Sequence, residues 1–244
     1  MFVVAVTLTA TPLLMDAQRG QGPPAAPPTA RAAAAIDLTG TWVSVIHEDW
    51  WLRMVTPRKG DYTHLSLTPA ARKIADAWDP ARDEAAGEQC KAYGAAAITR
   101  LPGRLRISWQ DDNTMKLEYE AGTQTRLFHF RAAPPAAASA VPSWQGVSVA
   151  AWRYTAVPPR SGELKVTTNR LRAGYLRKNG VPYSANATLT EYYHRIAAPN
   201  GDAWLTIVTE VTDPETLPLP FVLSTHFKKL PDGAAFTPEP CSAS

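Results

Sequence analysis

Over residues 104–130 polar and apolar residues alternate through three consecutive runs, and this pattern constrains the fold more than any other feature of the chain. Leu105, Ile107 and Trp109 share one side of the first run, with Arg104, Arg106 and Ser108 on the other. Met115, Leu117 and Tyr119 return opposite Lys116, Glu118 and Glu120. In the third run Gln124, Arg126, Phe128 and Phe130 alternate with Thr125, Leu127 and His129. Side chains point to opposite faces of a strand with a period of two, whereas a helix would scatter these residues around its axis. Asp111-Asp112-Asn113 and Ala121-Gly122 supply turns, so the stretch predicts a three-stranded antiparallel meander.

The same style recurs on both sides. Strands are expected over residues 36–45, 50–55, 146–153, 163–171, 187–196, 203–212 and 221–229. Pro199-Asn200-Gly201-Asp202 is the strongest hairpin signal. Residues 68–76 carry a Thr68 cap, Pro69 in the first helical position and an Ala-rich continuation, which predicts one short helix. A second short helix fits within residues 79–94, and residues 172–184 form a loop with its own Asn179-Gly180 turn. The Ala/Pro stretch 131–142 reads as a long loop inside one sheet system. About ten mostly consecutive strands joined by short turns favour closure. The expected fold is all-β: a single antiparallel barrel domain spanning 36–244, of eight to ten strands with one or two short helices.

Residues 2–15 are apolar and of signal-peptide length, and 19–35 are Pro/Ala-rich, so 1–18 is expected to be a signal peptide and 19–35 a flexible tether. No Lys or Arg precedes the apolar stretch, a departure from the usual leader. The expected location is periplasmic or secreted, with no transmembrane segment in the mature chain. The two cysteines, Cys90 and Cys241, permit one disulfide that would pin the C-terminal tail, with two free thiols as the alternative. With 25 basic against 22 acidic residues and no basic run beyond Lys228-Lys229, the chain lacks the footprint of a nucleic-acid binder.

Asp37-Leu38-Thr39-Gly40-Thr41-Trp42 resembles the Gly-x-Trp opening of lipocalin-like, calycin-type barrels. The segments Leu189-Thr190-Glu191-Tyr192-Tyr193-His194-Arg195, Asp213-Pro214, Pro220-Phe221 and Ser224-Thr225-His226-Phe227 are similar to an exported bacterial family of lipocalin-like proteins. That likeness covers nearly all of residues 36–241. It implies the barrel and a ligand-sized interior, and carries over no active site.

Such an interior is where chemistry is expected. Arg126, Glu191, Tyr193 and His226 come from three strands and are the candidates to meet there. Glu191, His226 and Tyr193 are nominated for acid/base chemistry and Arg126 for holding an anionic or carbonyl group. The alternation places Glu191 with Leu189, Tyr193 and Arg195, and His226 with Val222, Ser224 and Lys228. Trp50 and Trp109 are candidate aromatic lining. Tyr175, Arg177 and Tyr183 suit a lid over the barrel mouth. The five histidines show no H-x-H or H-E-x-x-H spacing, so no metal is expected, although His47-Glu48-Asp49 is the densest ligand-type cluster and a site could form across strands. No phosphate-cradling loop, dinucleotide fingerprint or nucleophile elbow is present, and no cofactor is expected. The expected function is binding of a small hydrophobic or amphipathic molecule with an anionic or carbonyl end. The competing expectation is a cofactor-independent isomerase, hydratase or lyase working inside the barrel.

Overall fold

A computed structural model describes residues 27–130, 141–155 and 161–243. In chain order the elements are β1 (Gly40–Val45), α1 (Trp50–Arg53), α2 (Pro69–Asp76), α3 (Pro80–Ala85), β2 (Arg104–Asp111), β3 (Thr114–Tyr119), β4 (Gln124–His129), β5 (Val147–Tyr154), β6 (Gly162–Asn169), β7 (Gly174–Arg177), β8 (Val181–Tyr183), β9 (Thr188–Ala197), β10 (Ala203–Thr212) and β11 (Phe221–Lys229). Nine strands close a barrel in the order β1-β11-β10-β9-β6-β5-β4-β3-β2, and β7-β8 forms a separate hairpin.

Three details depart from expectation. First, β4 and β5 pair in parallel, Phe128 opposite Ser148 and His129 opposite Val149, so the barrel is mixed. Parallel neighbours require a longer connection than a hairpin turn, and residues 130–146 separate these two strands in sequence. Second, residues 50–55 do not form a strand. In a closed barrel β1 already has β11 on one side and β2 on the other. A following strand finds no edge to join, and the chain turns into α1 with Leu52 and Arg53 buried. Third, the described residues hold three short α-helices instead of one or two. In α2 the cap is as expected: Thr68 Oγ1 accepts from Ala71 N, and Pro69 opens the helix.

The alternation orients the side chains as anticipated. Leu105 and Ile107, Met115 and Leu117, Leu164 and Val166, and Leu205 and Ile207 are buried in one interior cluster with Trp42, Phe128, Tyr193 and Phe227. The Trp42 indole N–H donates to Leu38 O at 2.9 Å, which satisfies its one polar atom in the apolar interior.

One barrel end is covered by the segment 46–103, the β7-β8 hairpin and the β10–β11 connection. Their apolar residues, among them Leu65, Leu176, Val181, Tyr183 and Leu217, join Val211 of β10 in a second buried cluster. Cys90 and Cys241 form a disulfide that holds the C-terminal tail to this cap. At the opposite end residues 27–35, the far part of the expected tether, are bonded to the body. Arg31 N donates to Asp112 O at 3.0 Å, and the Trp152 indole donates to Ala30 O at 2.8 Å. The expected signal peptide 1–18, the start of the tether and most of the 131–142 loop lie outside the described residues.

Candidate functional site

Arg126, Glu191 and Tyr193 do meet inside the barrel, but as packed core. Arg126 Nη1 and Nη2 donate to the Glu191 carboxylate at 2.9 and 2.5 Å, Nη2 also reaches Thr168 Oγ1 at 3.1 Å, and Tyr193 O–H donates to Glu191 Oε1 at 3.2 Å. Both charged side chains have no solvent exposure. Burial opposes the Arg126 charge, yet Glu191 beside it outweighs that and holds the guanidinium well above its ordinary pKa. Burial, reinforced by Glu191, drives the Tyr193 phenol well up, and burial pushes Tyr119 next to it to about 12.

His226 does not join them. It follows the alternation to the outer face of β11, where its Nδ1 lies 2.8 Å from Glu48 Oε1. The interior acid/base set is therefore corrected: its third member is outside, and the other two are sealed.

The proposed lining residues separate in the same way. Trp109 lies against Phe130, ring centroids 5.3 Å apart, far from the cap. Trp50 is more than half exposed on α1. Tyr183 is buried in the cap cluster, and the Tyr175 hydroxyl donates to Asp83 Oδ2 at 2.8 Å. Both tyrosines are spent on packing the cap. Arg177 is different.

Arg177, at the end of β7, is almost fully buried together with Arg53 on α1 and Arg100 in a 3-10 turn spanning Ile98–Arg100. Their fixed contacts go mostly to backbone carbonyls: Arg53 Nε to Arg100 O at 3.0 Å, and Arg177 Nη2 to Thr63 O at 2.6 Å. The nearest carboxylate contact is looser, Arg53 Nη1 to Glu48 Oε2 at 3.6 Å. Arg53 Nη2, Arg100 Nη1, Arg177 Nε and Arg177 Nη1 are buried without a hydrogen-bond partner. Burial, then the neighbouring charges of Arg177 and Arg53, push Arg100 down to about 9. Burial likewise lowers Arg53 and Arg177, with Asp49 acting in the opposite sense on all three.

Two clefts open onto these guanidinium groups, each of about 420 Å³. The first includes all three arginines and is walled by Met54 and Val55 on one side and by Thr237, Glu239 and Pro240 of the disulfide-held tail on another. The second contains Arg53, Arg100, Asp49, His64 and the start of β11. It exists because β1 stops at Val45, opposite His226, leaving Phe221–Thr225 unpaired on that side. Asp49 and His64, which face each other at 3.2 Å, both hold left-handed backbone conformations, with φ of 49° and 63°. Backbone of this kind is uncommon outside glycine and concentrates at functional sites. Neither cleft includes Arg126, Glu191 or Tyr193.

Arg53 and Arg100 escape sequence reasoning. Arg53 falls within the misread strand, and Arg100 closes the run Ala95-Ala96-Ala97-Ile98-Thr99-Arg100. A cation embedded in an otherwise apolar loop was the available signal. No family model, no curated protein and no solved structure matches this chain. The lipocalin-like resemblance thus extends to the closed barrel, which here has nine strands and one parallel pair instead of the eight antiparallel strands of a lipocalin.

Proposed function

We propose that this chain is an exported, lipocalin-like barrel protein that binds a small amphipathic anion (a carboxylate, sulfate or phosphate carrying an apolar body) at its capped end and not in its lumen. The observation that carries this reading is the set of four buried guanidinium nitrogens without partners. A desolvated, unpaired donor costs about 1–3 kcal/mol, and more when charged, so such a cluster is maintained against a standing penalty. An oxyanion would satisfy those donors in the fork geometry that arginine offers. The apolar body fits the wall formed by Met54 and Val55, which are exposed on the same segment as Trp50 and Trp51. Export is supported by the Cys90–Cys241 disulfide, a bond that persists in oxidising compartments, and by the apolar stretch 2–15. No helix among the described residues is long and apolar enough to cross a membrane.

The test is a titration of the full chain with dodecanoate and, separately, with dodecanol, followed by tryptophan fluorescence. Saturable binding of dodecanoate is expected, at least about tenfold tighter than dodecanol, since one charge-assisted hydrogen bond contributes about 1.5–3 kcal/mol. Arg100→Gln and Arg177→Gln should each erase most of that difference. Equal affinity for acid and alcohol, or variants that bind like the parent, would overturn the reading.

A further inference from the structure

We infer that His47, Glu48 and His226 form a binding site for one divalent transition-metal ion of the zinc class, on the barrel wall beside the second cleft. The site is independent of the anion reading. It is built by the register of two strands. Val45, the last residue of β1, pairs with His226 of β11. Beyond Val45 the chain leaves the sheet, and Asp49, in its left-handed conformation, turns it into α1. That turn folds His47 and Glu48 back over the outward-pointing His226. The result is two imidazoles whose ring centres are 4.8 Å apart with a carboxylate between them.

The ligand atoms have the spacing a metal requires. Glu48 Oε1 lies 3.1 Å from His47 Nε2 and 2.8 Å from His226 Nδ1, and all three potential donors fall within 4.8 Å of one another. Ligands about 2.0–2.2 Å from a tetrahedral zinc stand roughly 3.4 Å apart. The three residues therefore need only small side-chain rotations to share one ion. Two histidines and one glutamate are a recognised zinc set that leaves the fourth position open for water or another ligand. Two further atoms point the same way. His226 Nδ1 is buried without a well-aligned hydrogen bond despite its proximity to Glu48, and Glu48 Oε2 is also unpartnered by that criterion. An ion pair complete in itself would leave neither. Glu48 Oε2 faces Arg53, so the carboxylate that would hold the metal is also the nearest anionic neighbour of the arginine cluster.

The test uses the full chain after chelator treatment, titrated with Co²⁺ and followed by the visible absorption of the ion in a four-coordinate site, with Zn²⁺ added afterwards to displace it. One equivalent of Co²⁺ should bind saturably, and Zn²⁺ should abolish the band. His47→Ala, Glu48→Gln and His226→Ala should each weaken binding by at least about tenfold, the lower end of what even outer-shell partners of a metal contribute. His194→Ala, on another part of the outer wall beside Glu163, should leave binding unchanged. All three candidate ligands are partly exposed, so thermal melts of the metal-free variants should match the parent and separate lost ligation from lost folding. Absence of saturable Co²⁺ binding by the parent, or unaltered binding by the three variants, would overturn the assignment.

Discussion

Replacing Glu191 by Gln tests whether the barrel interior is solid. Gln preserves the shape of the side chain but removes its charge and turns one acceptor into a donor. Two Arg126 nitrogens and the Tyr193 hydroxyl converge on the carboxylate. The new amide group would point hydrogens at a guanidinium whose Nη2 also donates to Thr168 Oγ1. Both charged side chains are wholly buried, so no water relieves the conflict. Breaking a buried pair by neutralising one member costs about 3–5 kcal/mol. For a chain of this length that corresponds to a fall of about 10 °C in Tm. Urea unfolding of the oxidised protein, monitored by fluorescence and extrapolated linearly, gives the free energy directly. The double variant Arg126→Met/Glu191→Leu should recover most of the loss. It removes both charges and leaves the Tyr193 hydroxyl as the principal orphan, at about 1–3 kcal/mol, while Thr168 keeps its bond to Ser148 at 2.8 Å. A cost below about 1 kcal/mol for Glu191→Gln would refute a sealed interior, since only a hydrated or collapsible site could absorb that change.

Further expectations concern the cap and the rim. Arg100→Met should raise the stability of the ligand-free protein by roughly 1 kcal/mol, because it deletes a buried charge repelled by two others; a thermal melt lower than the parent's would contradict this. Reducing the Cys90–Cys241 bond, which spans 151 residues, should lower stability by up to about 5 kcal/mol on chain-entropy grounds, measured by denaturation with and without a phosphine reductant. It should also weaken dodecanoate binding, since the freed tail forms one wall of the first cleft. His129 has its pKa lowered below 6.5, by burial first and with Asp111 opposing. Above that value the ring is neutral in both states and contributes nothing. Below it the unfolded chain takes up a proton that the fold resists, so stability should fall as pH drops from about 7 to 5. His129→Gln should flatten that decline in pH-dependent melts, and an unchanged slope would remove His129 as its source.

How much of this was legible in the sequence depends on which physical rule each feature obeys. The 203–212 strand was placed to the residue because alternation and the Asn200-Gly201 turn specify its hairpin with β9 locally, and alternation alone placed 221–229. The Thr68–Pro69 helix start was equally local. Residues 50–55 failed because the missing strand edge is a property of the closed sheet, not of those residues. The parallel β4–β5 pair failed for the same reason. The occupancy of the lumen, by contrast, was within reach. Alternation already placed Tyr119, Arg126, Phe128 and Tyr193 on one side of their strands, and a barrel of about eight strands is just wide enough for side chains to fill it or for one small ligand. All four are buried there, packed with Trp42 and the aliphatic rows. His226 was likewise assigned by its own neighbours to the face opposite Thr225 and Phe227, which are buried. Irregular chain that meets the barrel end escapes the rule that alternate residues pack inward, so charges can gather there with no alternating pattern to announce them. That is where Arg53, Arg100 and Arg177 stand: three cations from a helix, a turn and a hairpin, brought together by the same cap that closes the hydrophobic interior.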